Sequence, residues 1–199
     1  EMQAMIACVG ATPVWANGRT LAGAQQWNNA ASTPIADVAT ARDAILTASG
    51  ELPNNMLVGW QVWRQLKVNA NILANVTWTT TAVPGQPHVI NIPEVAALFE
   101  VDNFYVSKAM YAPGALNQIG TATPLYIWGK NGLIWYANPG AGLKSITAGA
   151  TFVWQDQEGG TAPYIREIQD ERLERTIVQP KWWWKHEVIC DGAGYYFKN

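Results

Sequence analysis

The sequence predicts an α+β fold, and three observations carry that prediction. Residues 34–66 read as a helix, a buried strand and a second helix in immediate succession. Two apolar arms at 125–136 flank an Asn-Gly pair, and the last 44 positions combine strand-like alternation with dense charge. Fourteen of the 28 charged residues lie at 156–199, whereas 52–155 holds eight, which marks a candidate domain boundary near Asp156.

Met2, Met5, Ile6 and Val9 recur at helical spacing and Gly10 can end that helix, yet nothing before Met2 can cap it. The spacing predicts a chain that starts inside a helix whose earlier part is missing. Residues 11–31 are small and polar, with Trp15 and Trp27 as anchors of an extended connector. Ser32 or Thr33 then caps a helix with Pro34 at its first position, Asp37 in its first turn, Ile35, Val38 and Ile45 inward, and Gly50 closing it. Asn55–Gly59 has the length and apolarity of a central strand, and Val62, Trp63 and Leu66 give the following helix its inner face. The Thr-rich, proline-containing stretch 70–87 reads as a loop or irregular strand.

Pro93 and Glu94 open a third helix with Val95, Leu98 and Phe99 inward, followed by a strand over 101–110 and a loop over 114–123. The run LYIWGKNGLIWY at 125–136 carries the strongest hairpin signal, because Asn131-Gly132 suits the positive φ angles of a tight turn. Residues 173–178 alternate like a strand, and 182–190 is expected to pair with 195–198 through a turn at Asp191-Gly192.

Bulk properties exclude several function classes. The 199 residues are 49% hydrophobic, ample for a core, but only 14% charged against roughly 25% in average soluble proteins. Much of the surface is therefore uncharged or covered by partners. A net charge of -2 argues against a general nucleic-acid binder. Cys8 and Cys190 are too few for a disulfide framework and read as small buried apolar residues in a reducing compartment. No apolar run approaches the ~20 residues that span a bilayer, so a soluble chain without membrane partners is expected.

No catalytic, cofactor or metal site emerges. His88 and His186 are the only histidines, too few for zinc. Cys190 lies four residues beyond His186, roughly 13 Å along a strand. Asp170, Glu171 and Glu174 interleave with Arg166, Arg172 and Arg175, which reads as an ion-pairing surface rather than an acid and a base. Gly159-Gly160 and the glycines at 140 and 142 lack the Lys-Ser/Thr of a phosphate loop. Of the eleven tryptophans, Trp182, Trp183 and Trp184 are consecutive; in a strand they alternate faces and cannot form one flat platform, so a strand buried between its own subunit and a neighbour fits them better.

Four segments in order, TPIADVATARDAILTASGELPNNMLVGWQVWRQLK, IPEVAALFEVDNFYVSKAMY, LYIWGKNGLIWYANPG and TFVWQDQEGGTAPYIREIQDERLERTIVQPKWWWKHEVICDGAGYYFKN, together resemble the C-terminal two thirds of tailed-bacteriophage major capsid proteins, in the lambda-like group with the Hong Kong ninety-seven fold. The resemblance implies that residues 1–30 hold the end of the spine helix and a connector, 31–155 the axial domain, with a central sheet flanked by helices, and 156–199 the long antiparallel sheet of the peripheral domain. It also implies that an N-terminal arm and E-loop are absent from this chain.

The function so implied is a virion shell subunit, assembled in the host cytoplasm into hexamers and pentamers of an icosahedral capsid around the genome. It would meet scaffold, portal and decoration proteins, have few specific DNA contacts, and be no enzyme. Arg166, Glu167, Glu171, Arg172, Glu174, Arg175, Trp182, Trp183 and Trp184 are the expected subunit-interface residues. An encapsulin-like nanocompartment shell and, from another class, a Trp-rich carbohydrate-binding module are the alternatives.

Overall fold

Strand β2 (Asn55–Gly59) is buried at every residue and forms the inner part of a mixed five-stranded sheet. It runs parallel to β3 (Asn103–Ser107) and antiparallel to β6 (Gly132–Trp135). Beyond β6 lies β11 (Gly194–Lys198), antiparallel to it, and β1 (Asn17–Thr20) closes that side in parallel with β11. The computed structural model describes residues 15–29, 31–79, 90–111, 124–140, 142, 145–153, 164–170, 175–181 and 184–198.

The period of two sorts the sheet's side chains onto two faces. Met56, Val58, Phe104, Ile134, Tyr195 and Phe197 share the larger core with the four α-helices of the described residues: α1 (Pro34–Ser49), α2 (Trp60–Leu66), α3 (Ala70–Thr79) and α4 (Ile92–Leu98). Leu57, Leu133 and Tyr196 point the other way, where Trp15, Trp128, Ala148 and Ala193 close over them. Helices thus cover one face, and tryptophans with loop residues cover the other.

The 34–66 block forms as its sequence predicts. Pro34 occupies the first turn of α1, and Gly50 ends it in the left-handed region at φ 77°, its N–H donating to the Leu46 carbonyl at 2.8 Å. Thr33 is the cap residue but makes no side-chain bond to the helix. Ser32 is instead drawn into the core, donating to the Asn29 carbonyl and accepting from Asn69. Asp37 does more than answer the helix dipole: nearly buried, it accepts from Arg19 at 2.7 Å and from the Trp27 indole at 2.9 Å, fastening β1 and its following turn to α1.

Three sequence expectations are corrected. Residues 70–79 are helical: Ile72 and Val76 bury one helical face, and the Asn69 side chain accepts the Asn71 N–H at 3.0 Å, a cap that the Thr-rich run concealed. The 125–136 hairpin does not form. β5 (Leu125–Tyr126) pairs with β4 (Met110–Tyr111), and β6 enters the central sheet, where Leu133 and Ile134 are covered on both sides. The positive φ falls at Gly129 rather than Gly132. Finally, within the expected pairing of 182–190 with 195–198, the described residues 184–188 pair elsewhere. β10 (Trp184–Val188) pairs with β7 (Gly149–Val153), and β11 takes a sheet-interior place because Tyr195, Tyr196 and Phe197 are apolar on both faces.

The third expected helix forms as α4, with the Asn91 N–H donating to the Glu94 carboxylate at 2.9 Å as half of a capping box. Past β6, Asn54 clamps the chain: its side chain donates to the Ala137 carbonyl and accepts the Ala137 N–H, at 2.8 and 2.9 Å. The helix expected at residues 2–9, the loop at 114–123, Cys8 and His88 lie outside the described residues.

Candidate assembly surface

Three two-stranded ribbons stand apart from the five-stranded sheet: β4 with β5, β7 with β10, and β8 (Tyr164–Asp170) with β9 (Arg175–Lys181). Among the described residues each of these strands pairs with its ribbon partner alone. A lone two-stranded ribbon is marginal in water unless a further surface covers it. These ribbons leave apolar side chains uncovered: Ile165 and Val178 are 60% and 56% exposed, Phe152 is 55% exposed, and Met110, Tyr111 and Leu125 are each about half exposed. Exposed apolar side chains, where they cluster on one ribbon face, mark a place for a partner.

Register fixes the geometry of the β8–β9 ribbon. Ile165 lies opposite Pro180, Glu167 opposite Val178 and Gln169 opposite Thr176, all on one face by strand alternation. Arg166 is opposite Gln179, Ile168 opposite Ile177, and Asp170 opposite Arg175 at the outer end, on the second face. Of the residues expected at a subunit interface, Arg166, Glu167 and Arg175 therefore share this ribbon. Trp184 begins the β7–β10 ribbon, opposite Val153. Glu171, Arg172, Glu174, Trp182 and Trp183 lie outside the described residues. Sequence reasoning singled out the charges and missed Ile165, Val178 and Phe152, whose alternation with polar residues reads equally as a core face.

The tryptophans divide differently from a ligand platform. Trp15, Trp27, Trp63 and Trp128 are buried, and Trp27 and Trp63 pack against Phe197 and Phe104 with ring centroids 5.1 and 5.7 Å apart. Trp60 and Trp135 are partly buried. These six rings build the two cores.

His186 Nδ1 lies 2.9 Å from the Thr151 hydroxyl across the β7–β10 ribbon, and Cys190 packs half-buried against the smaller core. Among the described residues no group of three His, Cys, Asp or Glu side chains could hold a metal, and no helix is long and apolar enough to cross a membrane. Burial pushes the Tyr195 hydroxyl above its ordinary value of 10.0, with Arg19 opposing and Asp37 adding to the effect.

Comparison with known proteins places this geometry. No family model matches the chain. Over 96 residues, 48% of the chain, it is 24% identical to the major capsid protein of Burkholderia phage BcepMu, of which it covers 29%. A crystal structure of a phage-related protein from Bordetella bronchiseptica RB50 superposes with a TM-score of 0.74 at 22% identity, covering 92% of this chain and 56% of that one. The virus-like particle from Pyrococcus furiosus superposes with a TM-score of 0.50 at 11% identity, covering 99% of this chain and 60% of that one. The chain is thus similar in sequence to part of a phage major capsid protein, and shares its α+β fold with a phage-related protein and a virus-like particle protein.

Proposed function

We propose that the chain is a shell-forming structural subunit: the major capsid protein of a tailed double-stranded DNA bacteriophage, assembling as hexamers and pentamers of an icosahedral shell. The carrying observation is the β8–β9 ribbon, which among the described residues pairs with no other strand and exposes Ile165 and Val178 on one face. Burial of such a face by a neighbouring copy supplies the missing cover, and repeated weak contacts of this kind suffice once a lattice closes. The likeness to a phage capsid protein supports the same reading.

In this reading 31–155 forms the axial domain of the Hong Kong ninety-seven fold, 1–30 and 156–199 belong to the peripheral domain, and β1 and β11 extend the axial sheet from those flanks. The protein resides in the virion after assembly in the host cytoplasm, with scaffold, portal and decoration proteins as partners and the genome enclosed through few specific contacts. Arg166, Glu167, Glu171, Arg172, Glu174, Arg175 and Trp182 to Trp184 form subunit contacts.

Electron microscopy of the purified full-length product tests this: closed shells of uniform size are expected, and a dispersed monomer under all conditions overturns it. Reversing the charges of Arg172 and Arg175 together is expected to abolish shells while the monomer stays folded. A second reading, a nanocompartment shell around cargo protein, is favoured by the likeness to a virus-like particle. DNA inside purified particles separates the two.

A further inference from the structure

A pocket of about 260 Å³ opens between the turn at 26–28, helix α2 and the turn before β6. Gln61, Arg64 and Gln65 line it from one helical face, at i, i+3 and i+4, and Lys130 reaches it from the opposite side. Trp27 and Val62 give it an apolar floor, while Gln26 and Asn28 complete an amide rim. Arg19 and Arg42, by contrast, are matched by Asp37 and Glu100. Arg64 and Lys130 are exposed and, among the described residues, have no carboxylate partner.

The β8–β9 ribbon presents the complement. Glu167 is exposed, has no cationic partner among the described residues, and sits on the ribbon face opposite Val178 and two residues from Ile165. A carboxylate set within an apolar face can be desolvated on docking only where a cation receives it. Resting on the shell reading above, we propose that the face formed by Ile165, Glu167 and Val178 of one copy seats in this pocket of a second copy, with the Glu167 carboxylate between Arg64 and Lys130.

A second copy fits the pocket better than a nucleic-acid backbone. The chain is net negative and the pocket holds two cations in a ring of neutral amides, whereas phosphate binding needs clustered positive charge. Pocket and ribbon are also different surfaces, so the contact is heterologous and each copy offers one of each, the requirement for a ring or an extended lattice.

The test follows assembly of the full-length chain by sedimentation and electron microscopy. Glu167→Lys, and separately Arg64→Glu with Lys130→Glu, are each expected to lower shell yield by about tenfold or more, the size of effect that like charges facing one another impose. Combining all three substitutions is expected to restore shells, because the charges again complement. Circular dichroism checks the fold of each variant. Should a reversed variant fail to fold, the pair Glu167→Cys and Arg64→Cys replaces it, with a ladder of disulfide-linked dimers and higher multimers on a non-reducing gel as the expected result.

Wild-type shells together with unimpaired reversals, absent rescue, or no crosslink overturn the docking and leave the shell reading standing. Loss of bound DNA from the pocket variant without loss of shells also overturns it and assigns the pocket to phosphodiester. A wild-type chain that never assembles overturns both readings.

Discussion

The five-stranded sheet and the β8–β9 ribbon are both built from strands with apolar residues, yet they settle their surfaces in opposite ways. In the sheet, β2 has partners on both edges and cover on both faces, and its own buried polar residue Asn55 receives a hydrogen bond from Asn103 at 3.1 Å. In the ribbon, neither strand has a second partner among the described residues, and Ile165 and Val178 stay in contact with water. Surface satisfied within the chain stabilises the fold; surface left open is what a neighbour would cover in the proposed shell. Substitutions in the two regions should therefore separate folding from assembly.

The sharpest break is expected at Gly59. A Cβ there would lie 1.9 Å from the Gly129 carbonyl oxygen, and Gly129 itself holds a positive φ of 57° that other residues resist. Gly59→Ala is expected to cost about 3 kcal/mol in urea unfolding, since a backbone atom must move. Next comes Asp37→Ala, which strips the acceptor from the Trp27 indole and the partner from Arg19. A loss of about 2–3 kcal/mol is expected by the same measurement, reduced by the partial exposure of Arg19.

Tyr195 gives a smaller, pH-dependent effect. Its hydroxyl titrates above the ordinary value of 10.0, so the folded state holds the proton more tightly than the unfolded one. The stabilisation is complete below pH 10 and is lost as the pH rises through the raised value. Alkaline melting curves of Tyr195→Phe are expected to lose less stability over that window than wild type. Smallest of all for the monomer are Ile165→Ser and Val178→Ser, expected within about 0.5 kcal/mol of wild type because both sites already face solvent. The same pair is expected to depress shell yield. A large monomer destabilisation would show that the ribbon is covered within its own chain and would erase the contrast.

What was legible in the sequence follows the same division. Capping, helical spacing and a short apolar run placed α1, β2 and α2, because each signal is local. Strand partnership is not local: β11 finds β1 across nearly the whole chain, and nothing near Tyr195 or Asn17 announces it. The Asn131-Gly132 pair misled because turn chemistry only permits a hairpin, and burial of Leu133 and Ile134 between β2 and β11 decided against it. At the candidate surface, interleaved charges marked Arg166, Glu167 and Arg175. The pocket at Arg64 and Lys130 left no sequence signal, since its lining comes from three separate segments.

The parallel pairing of β1 with β11 also sets an order of events during synthesis. β1 and β6 do not pair with each other; β11 lies between them, and its first residue is made 59 residues after the last of β6. Until then Trp15 lacks Gly194, the glycine whose missing side chain makes room for the indole ring, and the edge of β6 stays bare. Long-range pairing of this sort is slow and comes late. A nascent chain carrying the outward ribbon therefore cannot complete its sheet before residue 198 emerges, and chains released at residue 190 should remain open to protease while those reaching 198 become resistant.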